Sequence, residues 1–329
     1  MAVASTKKKS AQENVLLKAY THMLKLRVAQ QELVKFYLDK KIFSMVHFYI
    51  GQEAVAVGVT DALTPNDKTM GNHRSHGHYL AKGGNFRALI CELLGRSNGL
   101  AKGKGGSMHM IDKSVNFAGS TPLLGSVAPL AAGSAFEQKY NKRGTVTAAF
   151  YGDGASEEGV VYETYNLAGL YKLPVLFVIE NNGLSINSRI KDRRAPGYDL
   201  KKIVEGYGLT YERANGNDYH DVHDKARALV EGIRANHKPA VLECMVYRHM
   251  AHSTPLTEEK YRNDDTLEKR QQHDPVKNLA GELIASGVPE KKLVALEEEL
   301  RASMQSDIAF ALKSPYPKKK ELYTDMYSN

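Results

Sequence analysis

The spacing of apolar residues divides the chain into helical and strand-like stretches. Between residues 11 and 45, apolar side chains recur about every 3.6 positions, which predicts a long amphipathic helix, and residues 51–63 predict a second one. Later apolar runs are short and continuous, which is typical of strands that are buried on both faces. These runs are residues 145–152, 173–182 and 240–248.

Helical segments at 157–171 and 227–236 separate these strands. Strands that alternate with helices pair in parallel, so the order predicts an α/β fold with a mostly parallel sheet and helices on both faces. A charged C-terminal part carries an apolar helical stripe that would dock on the domain or on another subunit. This stripe consists of Leu293, Leu296, Leu300 and Met304. The expected divisions are a flexible tail at 1–14, a main domain at 15–255 and a helical extension at 256–329.

The segment 95–133 differs from the rest of the chain because it is rich in glycine, serine and histidine and has no sustained period. A connection of this length inside a domain is usually functional or disordered. Its apolar residues argue against disorder, so we expect a functional loop.

Composition excludes several classes of protein. The 329 residues are 42% hydrophobic and 25% charged, and no apolar run reaches the roughly 18 residues that span a bilayer. The net charge of +8 comes from scattered lysines without a basic, aromatic-interleaved helix, so we do not expect a nucleic-acid partner. The N-terminal lysines precede no apolar signal stretch, and Cys91 and Cys244 lack metal-type spacing. We therefore expect a cytoplasmic protein without a membrane partner.

Polar residues follow two of the predicted strands at the point where each strand ends. Asp153 lies between Gly152 and Gly154, and Asn182 ends the next strand. A right-handed crossover sets both strand ends at one edge of the sheet, where ligands of open α/β folds bind.

Glycine lets a diphosphate approach the backbone, and a helix start near Ala155 would offer N–H groups to it. Carboxylate and amide oxygens suit a Mg²⁺ ion that also binds the phosphates. Asp153 and Asn182 together therefore predict a metal–diphosphate site. The alternative is that Asp153 caps a helix and Asn182 shapes a turn, which explains each residue separately but not both at successive strand ends.

The segment 152–182, which begins Gly-Asp-Gly and ends Asn-Asn, resembles the thiamine diphosphate motif. Four further motifs resemble the alpha subunit of the decarboxylating component of 2-oxo acid dehydrogenase complexes, a family that includes pyruvate, branched-chain 2-oxo acid and acetoin dehydrogenases. These motifs are IGQEAVAVG, HRSHGHYLAKG, GRSNGLAKGKGGSMHM and YRHMAHSTP. The similarity runs from about residue 15 to 310 and implies the thiamine-diphosphate-binding fold, with helical N- and C-terminal extensions.

The resemblance also implies roles for residues at the metal–diphosphate site. Asp153 and Asn182 would hold Mg²⁺ through side-chain oxygens, and Leu184 through its backbone carbonyl. Gly154 and Ala155 would line the diphosphate with backbone N–H groups.

Other positions that match the family extend this site. Arg74 would neutralise the terminal phosphate, which suits its forked guanidinium, although a surface ion pair is an alternative. His73 stands where relatives commonly have tyrosine and could still donate a hydrogen bond. Leu124 would present backbone groups to the aminopyrimidine ring. His252 is the expected catalytic residue, which would stabilise the intermediate and move protons; the alternative is a structural histidine.

Three further histidines and two departures from the family pattern lie near these motifs. His76 is expected at the site entrance, whereas packing or surface roles suit His78 and His109 at least as well. Pro122 lacks an N–H in a loop that usually contacts the cofactor, and Met250 replaces a histidine two residues before His252. Both departures are expected to border the substrate cavity, so they leave the substrate undecided rather than the cofactor. The sequence does not decide whether Ser253, which follows His252, is phosphorylated as in some relatives.

The resemblance implies oxidative decarboxylation of a 2-oxo acid, with pyruvate as the leading substrate and acyl transfer to the lipoyl-lysine of an acyltransferase. Branched-chain and acetoin dehydrogenases are the alternatives. A split transketolase-like carboligase would share the Gly-Asp-Gly and Asn-Asn anchor but not the KGKGGSMH and YR…HS motifs. A non-catalytic binding protein would not need Asp153, Asn182, Arg74 and His252 together.

The chain is expected to hold only half of the active site. The family activates thiamine diphosphate with a glutamate on a second, homologous domain. In this chain the diphosphate motif begins in the middle, and the charged tail leaves no second strand–helix module with a suitable acid. We therefore expect a beta subunit and an alpha2-beta2 heterotetramer with its sites between chains.

Overall fold

The computed structural model describes residues 2–253 and 272–325, with side chains from residue 13 onward. A six-stranded sheet has the order β2-β1-β3-β4-β8-β7, and every neighbouring pair in it is parallel. Its strands are β1 (Lys68–Gly71), β2 (Phe117–Ser120), β3 (Thr147–Gly152), β4 (Val175–Asn181), β7 (Thr210–Asn215) and β8 (Ala240–Met245). A small antiparallel hairpin follows β4 and consists of β5 (Leu184–Ser185) and β6 (Ser188–Arg189).

Helices cover this sheet and also form the N- and C-terminal parts of the chain. They are α1 (Ala2–Leu38), α2 (Glu53–Asp61), α3 (Ser75–Ala81), α4 (Phe86–Leu93), α5 (Val127–Tyr140), α6 (Gly159–Tyr171), α7 (Ile190–Arg193), α8 (Leu200–Gly206), α9 (Tyr219–Asn236), α10 (Pro275–Ser286) and α11 (Glu290–Lys313). Among the described residues, no helix combines the length and the apolar character needed to cross a membrane.

Alternate residues of β3 show that both faces of the sheet are covered. Phe150 packs in a buried cluster with Val55 of α2 and Val222 of α9. Tyr151, on the opposite face, packs in a cluster with Val161 of α6 and with residues of α5 and α8. The predicted α/β class with a mostly parallel sheet and helices on both faces is therefore confirmed.

The predicted strands at β3, β4 and β8 are confirmed, whereas β1, β2 and β7 were not predicted. The expectation of an α-helix start near Ala155 is wrong. Ala155–Glu157 form one turn of 3-10 helix, and Glu158 is extended with φ −72° and ψ 137° before α6 begins at Gly159. The backbone next to Asp153 is therefore a short turn, and the α-helix starts several residues later.

The helices at the two ends of the chain pack on each other beside the sheet. Arg27 of α1 is buried and bridges Glu53 of α2 and Asp274 before α10, with hydrogen bonds of 2.6 and 2.9 Å. The apolar stripe of α11 docks on the domain, where Leu293 and Met304 are buried in one cluster with residues of α1 and α4. The division into tail, domain and extension stays a prediction; α1 already begins at Ala2, and residues 254–271 lie outside the described part.

The glycine-rich segment folds around one buried carboxylate. Glu92 of α4 accepts hydrogen bonds from the backbone N–H groups of Ala101, Gly103, Gly105 and Gly106, at 2.7, 3.0, 2.7 and 3.0 Å. A carboxylate has enough lone pairs to accept four such bonds, so a single side chain orders the loop.

Candidate functional site

A cavity lies at the carboxyl ends of β3, β4 and β8, and all nine residues that the sequence indicated line it. These residues are His73, Arg74, Leu124, Asp153, Gly154, Ala155, Asn182, Leu184 and His252. They come from five separate parts of the chain, and the parallel order of the strands brings them to one edge of the sheet. The cavity wall also includes Gln52, Glu180 and Arg248, which were not predicted.

The corner at Asp153 is tightly packed and carries buried charge. Asp153 is 1% exposed, and the Nη2 of Arg193 lies 2.5 Å from its Oδ2. Burial raises the pKa of the Asp153 carboxyl above its ordinary value, although the Arg193 guanidinium acts in the opposite direction. A Cβ at Gly154 would overlap the Oγ of Ser185, so any larger residue requires Ser185 to move. The corner therefore holds a cation at Asp153, and Ser185 packs closely on the backbone at Gly154.

The two asparagines that end β4 have different surroundings. Asn181 is buried; its Nδ2 donates to Glu243 at 2.7 Å, and its Oδ1 accepts from the N–H of Gly183 at 3.0 Å. Asn182 lines the cavity, and its Oδ1 accepts from the N–H of Leu184 at 3.1 Å. Asn181 thus fixes the strand end, while Asn182 lines the same cavity as Asp153.

Arg74 is buried at 3% exposure, so its interpretation as a surface ion pair is wrong. Its Nη1 donates to the carbonyl oxygen of Phe48 at 2.7 Å, and its Nη2 donates to the carbonyl oxygen of His252 at 2.9 Å. These two hydrogen bonds go to neutral carbonyl oxygens, and a guanidinium stays protonated in proteins, so Arg74 keeps its positive charge. The cavity therefore has a fixed cationic wall, which favours an anionic ligand.

His252 lies at the centre of a cluster of rings and cations. The Nη1 of Arg248 is 3.2 Å from its Nδ1, and the Nη2 of Arg74 is 3.5 Å from the same atom. The ring centroids of His47 and His73 lie 5.0 and 5.6 Å from that of His252. The two guanidinium groups favour a neutral Nδ1 that accepts, which leaves Nε2 to carry the proton.

His47 and His73 are neutral neighbours of His252. Burial and the charge of Arg74 lower the pKa of His47 to about 3, and the same causes lower the pKa of His73 well below its ordinary value. One ring nitrogen from each of the three histidines lies within 4.8 Å of the other two. Two adjacent arginines oppose a metal ion at this cluster, so it suits proton transfer or an anion better.

Several buried polar atoms of the cavity fit a polar ligand. Both ring nitrogens of His73, both side-chain polar atoms of Gln52 and the Oε2 of Glu180 are buried without a hydrogen-bond partner among the described residues. Orphaned polar atoms are costly, and a cluster of them is expected where a ligand supplies the partners. Gln52 lies within the motif IGQEAVAVG and Glu180 directly precedes Asn181, so both could have been found from the sequence.

The other three predicted histidines and both departures from the family pattern lie away from the cavity wall. His76 is buried, and its Nε2 lies 2.9 Å from Ser107 Oγ. His78 is also buried, and its Nε2 lies 3.1 Å from Glu180 Oε1. His109 is bonded at the surface to a backbone carbonyl. Met250 packs on the cluster formed by the terminal helices and does not line the cavity, unlike our expectation. Pro122 does not line the cavity either, whereas Leu124 does.

Comparisons with known proteins agree with this site. The family model described as "Dehydrogenase E1 component" matches residues 20–320. The chain is 39% identical over 317 residues to the pyruvate dehydrogenase E1 component subunit alpha of Zymomonas mobilis, with 96% of this chain and 89% of the relative covered. The corresponding subunit of Rhizobium meliloti is 37% identical, with 94% and 89% covered, and the mitochondrial one of Dictyostelium discoideum is 35% identical, with 95% and 82% covered. The chain belongs to the dehydrogenase E1 component family.

Proposed function

We propose that this chain is the alpha subunit of a pyruvate dehydrogenase that depends on thiamine diphosphate and Mg²⁺. The observation that carries the proposal is the single cavity in which Asp153, Asn182, Arg74 and His252 meet. The family implies thiamine diphosphate as cofactor, and the orphaned atoms of Gln52, His73 and Glu180 fit a polar ligand.

The residues of the cavity suit the parts of that cofactor. Asp153, Asn182 and the carbonyl of Leu184 would hold Mg²⁺, because this ion prefers a few carboxylate and amide oxygens beside phosphate oxygens. Gly154 and Ala155 would face the diphosphate with their backbone. Arg74 would bind the terminal phosphate, since it is buried and positively charged.

The cofactor, when bound, supplies the electron sink for breaking the bond next to the 2-oxo group. The chain itself would hold and move a proton at His252. Arg74 and Arg248 fix the orientation of its ring, and the neutral rings of His47 and His73 exclude water from one side. Leu124 would place backbone groups against the aminopyrimidine ring.

Pyruvate is proposed as the substrate because the relatives described above carry that name and cover nearly the whole chain. The branched-chain and acetoin alternatives have no comparable support. The acyl group would pass to the lipoyl-lysine of an acyltransferase component, which is a further proposed partner.

A beta subunit is the proposed partner that completes the site in an alpha2-beta2 heterotetramer. Helices α5 and α6 expose an apolar surface, and the ring centroids of Phe136 and Tyr171 lie 5.7 Å apart across the two helices. The exposed apolar residues of this surface are Leu130, Phe136, Tyr140, Leu167, Leu170 and Tyr171. Exposed patches of this kind mark protein interfaces, which supports a partner at this face.

Calorimetry tests the proposal on the chain purified with its beta subunit. Thiamine diphosphate should bind in the presence of Mg²⁺, and the Asp153→Ala variant should lose that binding. Dye-coupled turnover should then favour pyruvate over branched-chain 2-oxo acids and acetoin. Absence of cofactor binding would overturn the proposal, whereas turnover of acetoin alone would overturn only the substrate.

A further inference from the structure

The cation that lies on Asp153 is the guanidinium of Arg193. Its Nη2 is 2.5 Å from Asp153 Oδ2, and its Nη1 is paired with Glu157. The side chains of Asp153 and Arg193 are 1% and 14% exposed, so the pair lies away from bulk water. Charge-assisted hydrogen bonds are strong in such surroundings, because water screens them little.

Arg193 reaches Asp153 from the connection between β4 and α8, residues 182–199, which we call the arginine segment. Leu184, Ser185 and Ile186 of this segment line the cavity. Ser185 also packs so closely on Gly154 that its Cβ would lie 2.8 Å from a Cβ built there. The segment therefore covers both features of the corner, namely the carboxylate and the glycine backbone.

A second arginine anchors the same segment without touching the carboxylate of Asp153. The Nε of Arg194 donates to Glu157 Oε1 at 2.7 Å, and its guanidinium lies 4.5 Å from the centre of the Tyr198 ring. The two neighbouring arginines share Glu157, but of the two it is Arg193 that is bonded to Asp153. Replacing Arg193 therefore removes the contact with Asp153, whereas replacing Arg194 removes the same charge and leaves that contact in place.

We propose that Arg193 competes with the divalent cation for Asp153, so that cation binding displaces Arg193 from the Gly-Asp-Gly corner while Asn182 and Leu184 stay beside the cation. This inference rests on the proposed function, because it takes Asp153 as a metal ligand. The same carboxylate oxygen cannot hold a guanidinium at 2.5 Å and a divalent cation at about 2.1 Å without bringing two positive groups together. Glu157 remains as the counter-ion of Arg193 after the exchange, so no buried guanidinium is left unpaired.

The cation can bind only those molecules in which Arg193 has left Asp153. The apparent affinity is therefore the intrinsic affinity multiplied by the fraction of such molecules. Removing Arg193 therefore strengthens cation binding, whereas removal of an ordinary structural contact leaves it unchanged. We expect the Arg193→Ala variant to bind Mn²⁺ about tenfold more tightly, which corresponds to roughly 1.4 kcal/mol.

The experiment measures Mn²⁺ binding by titration calorimetry. The protein is the full chain purified with its beta subunit and saturated with thiamine diphosphate. Wild type is compared with the Arg193→Ala and Arg194→Ala variants, which lose the same charge from the same segment. Tighter binding only in Arg193→Ala supports the inference. Equal affinity in all three proteins, or weaker binding in Arg193→Ala, overturns it.

Amide hydrogen exchange of residues 188–199, the part of the arginine segment beyond the proposed metal ligands Asn182 and Leu184, gives an independent readout. It uses wild type and a charge-conserving variant, so it also serves if the alanine variant folds poorly. Exchange in wild type should rise on addition of Mn²⁺ and cofactor, and Arg193→Lys, which keeps the charge but loses the forked geometry, should show a smaller cation-dependent rise. Exchange that does not respond to the cation in wild type overturns the inference. If wild type binds no cofactor with any divalent cation, the proposed function fails instead, so the two failures are distinguishable.

Discussion

Arg74 donates a hydrogen bond through its Nη2 to the carbonyl oxygen of His252 at 2.9 Å, which joins the loop after β1 to the loop after β8. Through this bond, the guanidinium that would bind the terminal phosphate also fixes the backbone of the proposed catalytic histidine. Cofactor binding and the position of His252 therefore depend on one side chain.

The Arg74→Lys variant tests this dependence. Lysine keeps the charge but cannot bond both Phe48 and His252 in the forked geometry, so we expect thiamine diphosphate to bind about tenfold more weakly. The pH profile of turnover should also shift, because lysine has no second nitrogen that can lie beside the Nδ1 of His252 as the Nη2 of Arg74 does. Arg87→Lys, at an exposed ion pair with Asp307, is the control. Normal cofactor affinity in Arg74→Lys would contradict the role of the fork.

The Glu92→Gln variant should disorder the glycine-rich loop. An amide has only one acceptor oxygen, and its NH₂ group would face backbone N–H donors that now bond the carboxylate. We expect a loss of about 2–3 kcal/mol in the free energy of unfolding, measured by urea denaturation. Glu137→Gln, at a half-exposed ion pair, should cost far less. Similar losses in both variants would show that the loop does not depend on Glu92.

The sequence predicted the centre of the sheet well and its edges poorly, for a physical reason. Strands β3, β4 and β8 are buried on both faces and therefore form continuous apolar runs. The edge strand β7 (Thr210–Asn215) is largely exposed and polar, so periodicity gives no signal there. The short strands β1 and β2 are stabilised by their neighbours in the sheet rather than by their own composition.

The residues of the candidate site were also predicted unevenly, because only some of them lie at positions that the sheet topology fixes. Residues at strand ends, such as Asp153 and Asn182, were found because the topology fixes where strands end. Arg193 was not found, since it comes from a charged connection whose path depends on tertiary contacts. The predicted position of Met250 at the cavity was wrong, because a departure from a motif does not show in which direction the side chain points. The side chain of Met250 packs on the terminal helices.

The Gly154→Ala variant tests the close packing at the corner. The added Cβ overlaps the Oγ of Ser185 and lies 2.8 Å from its Cβ, so we expect the arginine segment to shift and thiamine diphosphate to bind at least about tenfold more weakly. The double variant Gly154→Ala/Ser185→Gly removes the overlapping atoms and should recover part of the affinity, measured by calorimetry as a double-mutant cycle. Additive losses would show that the two residues do not interact.

Buried histidines should make the stability of the protein fall with decreasing pH. Burial lowers the pKa of His76 to about 4 and, with the charge of Arg74, that of His47 to about 3. The unfolded chain binds a proton to each near pH 6.5, so their contribution is fully present above that pH and is lost as pH falls toward the folded values. At pH 5 the loss is about 2 kcal/mol for each histidine.

Urea unfolding of the assembled protein between pH 7.5 and 5 checks this expectation, since the free energy of unfolding should decrease across that window. The His76→Asn variant should show a shallower decrease, because asparagine can still bond Ser107 but does not titrate. His109→Asn, at an exposed histidine, should keep the slope of wild type. A slope unchanged in His76→Asn would mean that His76 is not the group that takes up the proton on unfolding.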